Sequence, residues 1–250
     1  MMDTDTSIGG PQSRFPETRY SAIQNLGNPE SALREGALEA LVAAYWKPVY
    51  KYIRVRWNQS NENAKDLTQT FFARVLEKDF FTAYDPAKAR FRTYLRSCLD
   101  AFLVNVHKSA NRIKCGGNAQ IVSLDFETAE GEIRGREIPS NEQSPEDYFH
   151  REWVRNVFSL AAQDLKGDCE QRGRRIQYEL FERYDLCDDD ERPTYDALGA
   201  ELGITRVTVT NHLAAARRRL RQIVLDRIRE CTATEREFRD EVRSVLGIEA

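Results

Sequence analysis

The sequence predicts an all-α protein made of two small helical domains joined by an acidic linker. Three observations predict it. Apolar residues recur at three- and four-residue spacing through most of the stretches that lie between turn signals. The composition, 41% hydrophobic and 31% charged over 250 residues, suits small bundles better than one large core. Charge is segregated along the chain although the net charge is only −3. Residues 88–114 carry Lys88, Arg90, Arg92, Arg96, Lys108, Arg112 and Lys114 against one acid, Asp100, and residues 206–229 carry seven arginines against Asp226. Between them, residues 116–150 set eight carboxylates against Arg134 and Arg136, and residues 185–191 add a further acidic cluster.

Taken in order, residues 1–16 are rich in Gly, Ser, Thr and Pro, and residues 1–30 read as a flexible extension. Ser31 is placed to cap a helix whose Leu38, Leu41, Val42, Tyr45 and Trp46 fall on one face. Pro48 should break that helix and open the next, which carries Val49, Tyr50, Ile53 and Trp57. Tyr45, Trp46 and Tyr50 read as packing residues rather than ligand contacts. The run N-Q-S-N-E-N is a loop, with Asn63 as N-cap of a helix bearing Leu67, Phe71, Val75 and Leu76. Asp85-Pro86 marks a turn, and Phe91, Leu95, Cys98, Leu99, Phe102, Leu103 and Val106 form the stripe of a further helix. These helices make a first domain, 31–115, ended by Cys115-Gly116-Gly117-Asn118. The linker, 116–145, is acidic and turn-rich. Ile121, Leu124 and Phe126 can tack it to a neighbour, and its turn formers suit a short hairpin around Glu130-Gly131.

The second domain, 146–230, opens at Pro145-Glu146-Asp147 with a helix striped by Phe149, Trp153, Val157, Phe158 and Leu165. Another helix, about 173 to 186, carries Ile176, Leu180, Phe181 and Tyr184. Then Thr194 caps a short helix with Leu198 and Leu202 inside, Gly199 allows a close approach, Gly203 turns the chain, and Thr205 caps the next helix. Val209, Leu213 and Leu220 face back, while Arg206, Thr208, Thr210, Asn211, Arg217, Arg218 and Arg219 point outward. This is the layout of a helix-turn-helix, whose second helix reads base edges while arginines hold phosphates. Unrelated helical hairpins share the spacing. His212 reads as a surface or phosphate contact, since no carboxylate or nucleophile is arranged around it. The tail, 231–250, places Phe238, Val242, Val245 and Leu246 on a short amphipathic helix that could cover the last domain or bind a regulator.

The helix from Phe91 has an apolar back and a basic front, with Phe91 and Tyr94 near its start. Such a surface can track a nucleic-acid backbone while a ring stacks on an unpaired base. A solvated basic face on an ordinary core helix fits the same stretch equally well. The motifs go further. D-L-T-Q followed by F-F-A-R, then D-P and F-R-T-Y-L, resembles the second conserved region of bacterial RNA polymerase sigma factors of the extracytoplasmic-function type. G-I-T-R-V-T-V-T-N-H-L-A-A-A-R-R-R-L is similar to their fourth conserved region and follows in the expected order. The two blocks cover most of 31–229, and the lead-in (F-P-E-T-R-Y, then A-Y-W-K-P-V-Y) is similar to a subgroup with a longer N-terminus.

The resemblance implies core RNA polymerase and promoter DNA as partners, with room for an anti-sigma factor or other regulator. It implies core-polymerase binding by Asp66, Leu67, Gln69 and Phe72. It implies melting of the minus-ten element by the loop from Tyr84 to Lys88 and by Arg90, Phe91, Arg92, Tyr94, Arg96, Asn105, Lys108 and Arg112. Reading of the minus-thirty-five element would fall to Thr205, Arg206, Thr208, Thr210, Asn211 and His212, with Arg217 and Arg218 on phosphates. Two departures matter. Thr210, Asn211 and His212 make the recognition helix less basic than in many members, and the tail runs past the usual end.

No phosphate loop, metal spacing or nucleophile–base pair appears, and His107, His150 and His212 are dispersed. The expectation is therefore a protein that is not an enzyme, with no cofactor, no metal and no small-molecule substrate. Five scattered cysteines without C-x-x-C read as reduced thiols, and no apolar run reaches the roughly twenty residues of a membrane span. Together these predict a cytoplasmic protein. The alternative function class is a stand-alone helix-turn-helix regulator that acts without polymerase.

Overall fold

The computed structural model describes residues 23, 31–75, 80–81, 83–109, 124–135 and 144–247. Among these the chain is all-α, with nine α-helices, one short 3-10 turn and no strand. The expected flexible N-terminus, Leu76, Arg112, Lys114, Cys115 and Ile121 lie outside the described residues. No helix among them is long and apolar enough to cross a membrane. Cys98, Cys169, Cys187 and Cys231 are free thiols.

Two compact units form. The bundle unit takes the described residues of Thr18–Val157 together with Ile228–Glu241, and the second unit takes Phe158–Arg227 with the described residues from Val242 onward. Contacts thus divide inside the helix that starts at Pro145, not at the expected boundaries near 115 and 146, and part of the tail belongs with the bundle.

In the bundle unit, α1 (Ser31–Arg56) is one continuous helix with Pro48 inside it. The expected break at Pro48 does not occur. Proline lacks the N–H that would bond the carbonyl four residues earlier, which belongs to Ala44. The buried Asn156 side chain supplies that donor, its amide reaching the carbonyl oxygens of Ala43 and Ala44 at 2.9 Å each. Asn156→Leu is expected to cost about 1–3 kcal/mol, because it buries a carbonyl with no donor. A urea-unfolding midpoint unchanged from wild type would show that the carbonyl finds another partner.

Helix α2 (Asn61–Val75) starts two residues before the expected cap at Asn63. Ser60 does the capping, its Oγ accepting the Asn63 N–H at 3.2 Å. Asp85-Pro86 turns the chain as expected, with the Asp85 carboxylate accepting the Ala87 N–H at 3.0 Å. Helix α3 (Phe91–Ser109) follows, and Phe91, Leu95, Leu99, Phe102 and Leu103 are buried along one stripe. Tyr45 of α1 packs edge-on against Phe91, with ring centroids 5.8 Å apart.

The expected linker contains a helix, α4 (Phe126–Arg134), where a hairpin was the alternative. Asp125 caps it by accepting the Thr128 N–H at 3.0 Å. Phe126 packs on Tyr50 and Trp46, with centroids 5.1 and 5.5 Å away. Glu130 accepts the Tyr50 hydroxyl at 2.7 Å and pairs with Arg54 at 2.7 Å, while Glu132 pairs with Lys47 at 2.8 Å. Two of the acids that mark this segment, Glu130 and Glu132, thus neutralise the basic edge of α1. Arg54 holds the Glu130 carboxyl down at about 2, with the Tyr50 hydroxyl assisting.

Helix α5 (Pro145–Gln171) begins at Ser144, whose Oγ accepts the Asp147 N–H at 3.0 Å. Its first half puts Phe149, Trp153 and Val157 into the bundle core. The second unit holds the rest of α5, α6 (Arg175–Asp185), a 3-10 turn (Asp189–Glu191), α7 (Tyr195–Leu202) and most of α8 (Arg206–Glu230). The last helix, α9 (Glu235–Leu246), gives its first half to the bundle.

Candidate nucleic-acid interfaces

The second unit builds its helix-turn-helix from local rules. Thr194 caps α7 by accepting the Ala197 N–H at 3.2 Å, and Gly203 closes the helix at φ 66°. That left-handed conformation is open to glycine at no steric cost. Thr205 then caps α8 by accepting the Thr208 N–H at 3.2 Å. Leu180, Leu198, Val209 and Leu213 form the small core behind the turn, flanked by Tyr184, Tyr195, Leu202 and Ile204. Gly199 packs directly against the turn that leads into α8, since a Cβ there would stand 2.8 Å from the Ile204 carbonyl oxygen.

Of the residues expected to read minus-thirty-five DNA, Thr205, Arg206, Asn211 and Arg218 are exposed, and Thr208, Thr210 and His212 are partly so. Arg206 makes a surface pair with Asp196 at 3.2 Å. Thr210 donates its hydroxyl to the Arg206 carbonyl at 3.1 Å, leaving its oxygen lone pairs for a donor. Arg217 differs from its neighbours. It is mostly buried, pairs with Asp185 at 2.9 Å and lies over the Tyr184 ring at 5.6 Å. Arg219 likewise pairs with Asp168 at 2.7 Å. Both arginines tie α8 to the elements behind it, which leaves Arg206 and Arg218 as the exposed cations of the set.

In the bundle unit, the face expected to dock polymerase is partly presented. Asp66 is exposed, and Leu67 and Gln69 are partly exposed on the same α2 surface. Phe72 points the other way, buried against Phe71 with centroids 5.6 Å apart, so it supports the helix from beneath.

The expected minus-ten residues divide into two groups. Lys88, Asn105 and Lys108 are exposed, and Lys88 keeps only a loose surface pair with Asp85 at 3.4 Å. Tyr84, Arg90, Phe91, Arg92, Tyr94 and Arg96 contact protein, and Arg112 lies outside the described residues. Tyr84, Phe91 and Tyr94 form one aromatic cluster, with Tyr84 5.2 Å from each of the other two rings. Tyr94 donates its hydroxyl to the Phe80 carbonyl at 2.8 Å. Phe91 is fully buried. Arg92 is 5% exposed, pairs with Glu241 at 3.1 Å and lies over the Trp153 ring at 5.4 Å. Arg90 also reaches Glu241, at 3.8 Å. Arg96 pairs with Glu146 at 2.7 Å and with Asp100.

Two acids of α9, Glu237 and Glu241, were not among the residues singled out from the sequence. Glu237 of α9 accepts the Phe91 N–H at 2.6 Å and the Tyr84 hydroxyl at 3.3 Å. It thereby caps α3 at the end where the helix dipole favours an anion. It also accepts the Ala233 N–H at 2.7 Å, and its own N–H bonds the Thr234 hydroxyl at 3.2 Å. This is half of a capping box, with its Thr-x-x-Glu signature in the sequence, and the carboxylate reaches the residue before the cap rather than the cap itself. Burial pushes the Glu237 carboxyl above the usual range against these favourable bonds. His150 of α5 is pushed down to about 4 by burial and by Arg92 and Arg90, so it stays neutral near pH 7.

No protein-family model matches the chain, and neither a curated protein nor a solved structure does.

Proposed function

We propose that the chain is a sigma factor of the extracytoplasmic-function type, which binds core RNA polymerase in the cytoplasm and directs promoter recognition and opening. The observation that carries the reading is the helix-turn-helix. Two threonine caps, a left-handed glycine and a close-packed Gly199 hold α8 so that Arg206 and Asn211 are solvent-exposed at its start. Such a helix fits the major groove, where Asn pairs with adenine and Arg with guanine or phosphate. The D-L-T-Q motif supports the polymerase half, with Asp66 and Gln69 on an accessible α2 face. Strand capture by Arg90, Arg92 and Tyr84 then requires Glu237 and Glu241 of α9 to give way first.

The deciding experiment is run-off transcription with purified core polymerase and fragmented source genome. New discrete start sites that depend on this protein are the expected result. Replacing Asp66 and Gln69 together by alanine should weaken binding to core polymerase about tenfold or more, while duplex binding by the helix-turn-helix persists. Unchanged polymerase affinity would refute the docking assignment.

A second reading has one observation in its favour. Phe91 and Arg92 are buried, as in a bundle that serves only as scaffold. On that reading the chain is a stand-alone regulator, and a stable dimer on a palindromic duplex, with no transcripts from core polymerase, is its signature.

A further inference from the structure

Val207 is the most exposed of the large apolar side chains that stand out among the described residues, at 68%. It is the second residue of α8, immediately after Arg206. A β-branched residue there has no packing to gain and is a poorer helix former than alanine. At 3.6 residues per turn it lies roughly 200° around the helix from Val209, which is fully buried, and within roughly 40° of Asn211. Val207 and Asn211 therefore share the outward face, one turn apart, and both stand clear of protein. The two offer complementary chemistry to a base-pair edge. Thymine presents a C5-methyl in the major groove, the one apolar group there, and adenine presents the N6/N7 pair that an amide side chain bonds twice.

We propose that Val207 is a specificity residue that packs against the C5-methyl of a thymine in the bound duplex, beside the base pair read by Asn211. The proposal rests on the reading of α8 as a duplex-reading helix given above. It accounts for an exposed valine on a helix whose buried positions include Val209 and Leu213, and it adds an apolar contact beside the polar side chains of Arg206, Thr210 and Asn211.

The test uses the full-length protein, alone and bound to core RNA polymerase. A preferred duplex is selected from a randomised library, and each of its thymines is then replaced singly by deoxyuridine, which removes one methyl and no hydrogen bond. Wild type should lose about fourfold in affinity at one thymine, the loss that burial of about one methyl group predicts. Val207→Ser should abolish that discrimination and leave the response at every other thymine unchanged. A selected sequence with no deoxyuridine-sensitive position, or sensitivity that survives Val207→Ser, overturns the assignment of Val207 while leaving the helix-turn-helix reading in place. Selection of no sequence by either form overturns the helix-turn-helix reading itself, and this inference with it.

Discussion

Replacing Glu241 with alanine is expected to destabilise the bundle unit by about 3–5 kcal/mol. The reason is the state in which it leaves Arg92. That guanidinium is 5% exposed, its Nε already lacks a partner, and Glu241, itself 2% exposed, faces it at 3.1 and 3.4 Å. Without the carboxylate, the Trp153 face and the more distant charge of Glu146 remain near the guanidinium, and a ring quadrupole contributes about 2 kcal/mol at best to a desolvated cation. The whole pair is a different matter from either half. Replacing both partners by apolar side chains of similar volume, Arg92→Met with Glu241→Leu, is expected to recover most of the loss, because it removes two desolvation penalties together. The readout is convenient. The chain has three tryptophans, Trp46, Trp57 and Trp153, and all lie in the bundle unit. Urea unfolding followed by tryptophan fluorescence therefore reports on that unit. A single variant within 1 kcal/mol of wild type would mean that water reaches Arg92 and that the pair is not closed.

The second large effect belongs to Gly199. A methyl group there would sit 2.8 Å from the Ile204 carbonyl oxygen and 3.6 Å from the Arg206 nitrogen, both backbone atoms that cannot swing aside. The Gly199 carbonyl also receives the Ile204 N–H at 2.9 Å as well as that of Gly203. Gly199→Ala must therefore move the turn as a whole, at about 1–3 kcal/mol. Amide hydrogen exchange across α7 and α8 should accelerate about five- to a hundredfold, and under the proposed function duplex binding should weaken as well, because α8 loses its fixed angle. Gly203→Ala meets no neighbouring atom and strains only its own φ, so it should exchange more slowly than Gly199→Ala. The reverse order would show that the turn, and not the helix approach, limits this motif.

The two candidate surfaces were unequally legible in the sequence, for a physical reason. Everything that shapes the helix-turn-helix is local. Thr194, Gly199, Gly203 and Thr205 act on residues within a few positions, so spacing alone places the caps, the turn and the buried Leu198, Val209 and Leu213. What the sequence withheld acts across long separations. Pro48 breaks a helix unless a donor replaces its missing N–H, and that donor is Asn156, 112 residues from Ala44. The expected linker had helix signals in Asp125, Phe126 and Ala129. Gly131 and a dense run of acids mimicked a loop, and Lys47 and Arg54, which neutralise Glu132 and Glu130, lie more than seventy residues back. The basic front of α3 looked solvent-facing because Glu241 and Glu146, which pair with Arg92 and Arg96, are not on α3. Charge that looks unpaired along a chain is a statement about neighbours in sequence, not in space.

The capping of α3 by a glutamate 146 residues downstream sets a clock on the ribosome. At about 5–20 residues per second, roughly 7–30 s separate synthesis of Phe91 from synthesis of Glu237. Throughout that interval the nascent bundle holds an uncapped helix start and an Arg92 whose carboxylate does not yet exist. The helix-turn-helix hairpin, built from neighbours, can fold as it emerges. The unit that is translated first waits for residues 228–241 before it can close.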